Sequence, residues 1–158
     1  MCRSYRAAGN LAAAAAWADD AVAVTFRLNY RQFQAVALIE RARTAIAADD
    51  PLSALTDLES AIALATQLQA GFDLARGSLY RAALLFAQNH PQADAAWAQT
   101  VRLCQSNGYD FLLGQERSLV LPFIAAVLDS PDPRLAKTGK ELYEQLLRVV
   151  PAPLRVEM

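Results

Sequence analysis

Few side chains in this sequence are equipped for covalent or metal chemistry. It has one histidine, His90, and two cysteines, Cys2 and Cys104. A structural zinc site needs about four Cys or His ligands, and catalysis by a base or nucleophile needs two such groups held side by side. Nothing in the sequence places a partner beside His90, whose Asn89-His90-Pro91 setting marks a helix cap or an exposed turn. Cys104 falls on the inner pattern of a helix and is expected to be a small buried hydrophobe, and Cys2 to lie at a frayed end. The carboxylate pairs Asp49-Asp50 and Asp57-Glu59 read as acids favoured by helix dipoles. Lys137, Lys140, Glu141 and Glu144 read as a solvated helix face. There is no G-x-x-x-x-G-K-[ST] phosphate loop. The expectation is a protein that is not an enzyme and carries no cofactor and no metal.

Arginine offers recognition chemistry instead. Arg41 and Arg81 lie forty positions apart, and the same shift sets Glu40 against Tyr80. Gln34, Arg41, Arg76, Tyr80 and Arg81 form the candidate ligand- or partner-binding set, expected on the concave face of a helical array. Guanidinium forks bind carboxylate or phosphate in a bidentate manner, so the set suits an anionic or peptide partner. The competing expectation is that these arginines pair with acids such as Glu40 or Asp73. Trp17 and Trp97 share one repeat position, which favours packing between helices over ligand stacking.

The elements that would position these residues recur. Gly9-Asn10, Asp49-Asp50-Pro51 and Asn89-His90-Pro91 are turn signals forty residues apart, each followed by an alanine-rich stretch. The same shift aligns Ala42 with Ala82, Ile39 with Leu79 and Ile46 with Phe86. Asp50-Pro51 and Asp132-Pro133 read as N-cap and first helical residue, while Asn107-Gly108 and Gly71 read as C-terminal stops. Helices are expected near 3–8, 11–19, 30–48, 51–69, 73–88, 91–106, 118–129 and 133–149. Residues 20–29 form a longer connection, and 109–117 is unassigned. On 51–69, Leu55, Leu58, Ile62, Ala65 and Leu68 mark one apolar face. The fold class is all-α, specifically an α-solenoid of antiparallel helix pairs, tetratricopeptide-like, with a period of about 40 residues. Residues 1–149 form the helical-repeat domain and 150–158 a C-terminal tail or linker.

Bulk properties narrow the function classes. The chain has 158 residues, 54% of them hydrophobic and 33 of them alanine, which suits one domain with a substantial core. Its formal charge of −1 lacks the basic bias of a free-standing nucleic-acid binder. Two cysteines cannot build a disulfide scaffold and point to a reducing compartment. Arg3 and Arg6 ahead of Leu11–Ala18 outline a signal peptide, but alanine is weakly hydrophobic and Gly9-Asn10 interrupts the run. The apolar run Leu119–Leu128 contains Pro122 and is about half the length of a bilayer span. A cytoplasmic protein without membrane contact is expected.

Tyr5 to Leu113 carries a resemblance. The segments Ala8-Gly9-Asn10 through Trp17, Leu38-Ile39-Glu40-Arg41-Ala42-Arg43, Ala54 to Leu64, and Gly108-Tyr109-Asp110-Phe111-Leu112-Leu113 resemble the helical-repeat region of large MalT-like, LuxR-type transcriptional regulators. Val150-Pro151-Ala152-Pro153-Leu154-Arg155-Val156 resembles the linker and first strand that open a winged-helix effector domain. The resemblance implies a non-catalytic segment that senses a small-molecule effector or a protein and relays this to neighbouring domains of a longer chain. Nucleotide hydrolysis and DNA contact would then lie outside it. The alternative is a free-standing tetratricopeptide-like scaffold for protein–protein interaction. The ends of a cut array expose apolar faces, so a homodimer is a further expectation.

Overall fold

A computed structural model describes residues 1–149, and the expectations for 150–158 lie outside it. Among the described residues every regular element is helical. In order they are α1 (Cys2–Ala7), α2 (Leu11–Arg27), α3 (Arg31–Ala47), α4 (Pro51–Gln67), α5 (Gly71–Ala87), α6 (Ala93–Asn107), α7 (Asp110–Gln115), α8 (Arg117–Val127) and α9 (Pro133–Val149). None of these helices is long and apolar enough to cross a membrane. The chain divides into two compact units, Met1–Leu84 and the residues from Leu85 onward.

The first unit builds each forty-residue period from two helix-and-turn modules of twenty residues. Helices α2, α3, α4 and α5 are each 17 residues long. Before, between and after them the backbone turns left-handed at Gly9, Asn29, Asp49, Gln69 and Asn89, one residue in every twenty. After each left-handed residue the next amide donates back five residues: Asn10 to Tyr5, Tyr30 to Thr25, Asp50 to Ala45, Ala70 to Ala65 and His90 to Leu85, all at 2.9 Å. This is the Schellman closure, which satisfies carbonyls left orphaned at a helix C-terminus. For α2 to α5 the helix starts at the very next residue after the donor, which explains how those connections can be so short. Asn10 Oδ1 accepts from the Ala13 amide and Asp50 Oδ1 from the Ser53 amide, both at 3.1 Å.

Several boundaries therefore differ from expectation. Residues 20–27 continue α2 rather than forming a connection, because Ala21, Val22, Ala23 and Val24 extend its apolar pattern and the stop comes at Asn29. Gly71 opens α5 instead of ending α4, since Gln69 supplies the left-handed turn. The unassigned stretch contains α7, and α6 begins at Ala93 after a Pro91-Gln92 turn. Gly108 does end α6 in a left-handed cap, and Asp132 accepts from the Arg134 amide at 2.9 Å near the start of α9.

Small residues let the helices of the first unit approach closely. Ala14, Ala18 and Val22 of α2 are buried, as are Ala35, Ile39 and Ala42 of α3 and Ala54, Leu58, Ala61 and Ala65 of α4. On α4 the buried stripe thus runs through the alanines and Leu58, with Leu55, Ile62 and Leu68 half-buried. The α5 residues Leu79 and Ala82 are fully enclosed, like their partners forty residues earlier. The second unit has a bulkier core. Trp97 is fully buried and stacks on Phe123 at 4.8 Å, and Phe86 meets the same ring edge-on at 5.3 Å. Trp17, at the equivalent repeat position, is 43% exposed, so the shared position does not give shared packing. Cys104 is buried as expected. Cys2 is not frayed: its thiol donates to the Ala14 carbonyl at 3.3 Å and lies 3.3 Å from the Thr44 hydroxyl.

Candidate functional site

Polar side chains of the first unit gather in two places. The first joins alternate helices. Glu40 on α3 is bound by Arg6 of α1 at 3.0 Å, by Arg43 one turn on at 3.0 Å, and by Arg76 of α5. Arg6 also donates to the Thr44 hydroxyl at 3.1 Å, and the Arg43 guanidinium lies 5.0 Å above the ring of buried Tyr80. Burial pushes the Glu40 carboxyl up, but Arg43, Arg6 and Arg76 overcome that and hold it down to about 2. All these side chains are mostly enclosed. The cluster is a clasp across α1, α3 and α5.

The second place is a cleft of about 640 Å³ between α2 and α4, with α3 as its floor. Its apolar lining includes Ala15, Ala45, Ala48 and Leu52, and its polar lining Asp19, Arg41, Asp50 and Asp57. Arg41 makes a two-pronged contact with Asp57, Nε to Oδ2 and Nη2 to Oδ1 both at 2.7 Å. Its remaining amine lies 3.4 Å from the exposed Asp19. Donating its hydrogen bonds to Asp57 raises the Arg41 pKa, burial opposes this, and the charges of Asp57 and Asp19 reinforce it. Three carboxylates against one guanidinium leave the cleft acidic. Its lip carries Leu52, which is 75% exposed.

The five residues expected to form one surface are dispersed. Only Arg41 lines the cleft, and its fork is closed on Asp57. Gln34 is buried and donates to the Thr25 carbonyl at 3.1 Å, tying α3 to the end of α2. Arg76 and Tyr80 belong to the clasp. Arg81 lies 3.8 Å from Glu59 of α4. Sequence reasoning passed over Arg6, which stood only in a targeting motif, and Asp57, which stood as a dipole-favoured acid. The competing expectation, that the candidate arginines pair with acids such as Glu40, holds for Arg76, while Arg41 and Arg81 meet Asp57 and Glu59, and the i, i+3 spacing of Glu40 and Arg43 was a further signal for the clasp. His90 is exposed, and its Nδ1 accepts from the Gln92 amide at 3.2 Å, a capping role. Among the described residues no group of three or more His, Cys, Asp or Glu side chains is placed to hold a metal ion.

No family model, curated protein or solved structure matches the chain.

Proposed function

We propose that the chain is a non-catalytic, ligand- or protein-binding segment of a tetratricopeptide-like α-solenoid, and that the α2/α4 cleft is its binding site. The observation that carries this is the cleft itself, about 640 Å³ of partly apolar space between helices forty residues apart in register. That volume falls within the ~300–1,000 Å³ of small-ligand pockets, and stacked helix pairs commonly bind partners along one row of helices. The twenty-residue helix-and-turn module supports a solenoid, since units that recur in this way stack on one another to bury a continuous core. The resemblance to MalT-like regulators adds the biological setting, in which the segment senses an effector or partner in the cytoplasm and relays this to adjoining domains. A phosphate-loop module upstream in the gene and a winged helix downstream would support that setting. Stop codons close to the segment would favour a free-standing scaffold.

Thermal unfolding against a library of metabolites and short peptides tests the binding claim, because a ligand of the folded state raises Tm. Arg41 is unsuited to the control, since its removal strands Asp57. Leu52→Ala and Asp19→Asn are the better pair, both side chains being largely exposed. A saturable shift weakened in these variants is expected. Shifts that persist in both variants would put the site elsewhere.

A further inference from the structure

The α2–α3 turn is the other unusual surface of the first unit. Phe26, Leu28, Tyr30 and Phe33 are 53%, 49%, 56% and 62% exposed. Tyr30 and Phe33 pack edge-to-face with ring centres 6.3 Å apart. No acidic residue occurs between Asp20 and Glu40, while Arg27 and Arg31 in that stretch are both exposed. The turn is therefore aromatic and cationic. Arg31 donates to the Gln67 side chain at 2.6 Å, an exposed and neutral contact that leaves its charge uncompensated. A contiguous exposed apolar patch of this kind marks an interaction surface, and aromatic residues with arginine are the types enriched where proteins meet.

The cleft has the opposite character. Asp19 is 66% exposed, and the Asp50 carboxylate is held by groups of its own helix start, the Ser53 side chain and the Ser53 and Leu52 amides, with no cation beside it among the described residues. Ala15, Ala45 and Ala48 form a smooth apolar wall with Leu52 at the lip. We infer that the α2/α4 cleft of one copy receives the aromatic, basic α2–α3 turn of a second copy. Phe33 and Tyr30 would enter the apolar part, and Arg27 and Arg31 would meet Asp19 and Asp50 at the rim. Turn and cleft sit toward opposite ends of α3, which begins at Arg31 beside the turn and reaches Ala48 in the cleft after about 25 Å of helix. One copy cannot fill its own cleft with its own turn. The contact is heterologous, and each pair of copies keeps one free turn and one free cleft.

This inference rests on the reading of the cleft as a binding site and names its occupant. The experiment is sedimentation equilibrium of the full chain over a range of concentrations, at low and high salt. The average mass is expected to rise with concentration and to fall back as salt screens the rim charges. Phe33→Glu, a turn variant, and the double change Asp19→Arg with Leu52→Glu, a cleft variant, should each be monomeric with unchanged helical circular dichroism. Arg27→Glu replaces Phe33→Glu should the latter lose helix. An equimolar mixture of turn and cleft variants should form a 1:1 complex that grows no further, because only one productive contact remains. A chain that stays monomeric at low salt and submillimolar concentration overturns the inference. So does association that survives both variants, or a mixture that does not pair. A small-molecule Tm shift without self-association would overturn the choice of occupant alone and leave the cleft as a binding site.

Discussion

Glu40 is the residue on which the first unit is most exposed to single changes. One carboxylate neutralises guanidinium groups from three helices, so Glu40→Gln should cost about 2 kcal/mol near neutral pH by leaving them short of charge. The folded carboxyl is depressed from 4.5 to about 2. Its stabilising effect is therefore complete above about 4.5 and lost as the pH falls through about 2. Urea midpoints of wild type and Glu40→Gln should converge over that window, and a gap that stays constant down to pH 2 would contradict the clasp. Arg41→Ala should cost about 2–3 kcal/mol because it strands the enclosed Asp57, while Asp19→Asn should stay within about 0.5 kcal/mol. Chemical denaturation separates the two. Burial, and then Asp110, push the Cys104 thiol up to about 11, so an alkylating reagent should reach it only on unfolding. Burial of Cys104 was legible from helical periodicity alone. Of the clasp, the pairing of Arg76 with Glu40 stood as the competing expectation, but nothing local connects Arg6 to Glu40, and the side-by-side placement of α1, α3 and α5 is what joins all of them.

At the scale of elements, legibility followed the punctuation. Helix starts at Asn10, Asp50-Pro51 and Asp132-Pro133 could be read because their capping chemistry is written in the side chains. The residues that make the stops at Asn29 and Gln69 could not, although a helix end at 69 was read and its turn given to Gly71. No glycine or proline follows Asn29, and Gln69 is a good helix former placed in a left-handed turn by the closure around it. The forty-residue period of helix pairs is two of the twenty-residue modules, and reading 20–29 as a connection hid the second half of α2 and the side of the turn that carries Phe26 and Leu28. The strain at Gln69 is testable. Gln69→Gly should stabilise by about 0.5–1 kcal/mol through relief of the positive φ, seen as a higher Tm, and a loss of stability would contradict the turn geometry. Gly139 on α9 responds the other way. An added methyl would meet Val127 Cγ2 of α8 at 2.6 Å, so the gain in helix propensity is outweighed by overpacking. Gly139→Ala should cost about 1–3 kcal/mol.

For the whole molecule, the all-helical class was readable from composition and period, whereas the location of the candidate site was not. Pairing Arg41 with Arg81 by the forty-residue shift correctly identified equivalent positions, and each approaches an acid of the preceding helix, Asp19 and Glu59, themselves forty residues apart. What the shift did not show is the fork that Arg41 closes on Asp57 of α4. The acidic cleft emerges only once α2 and α4 are seen to flank α3. Amide hydrogen exchange tests the cleft most directly, with the protein alone and with any ligand or partner that raises its Tm. Added protection should concentrate in residues 15–19 and 45–57. Protection confined to α6–α9, with that cleft segment unchanged, would contradict the cleft as the binding site.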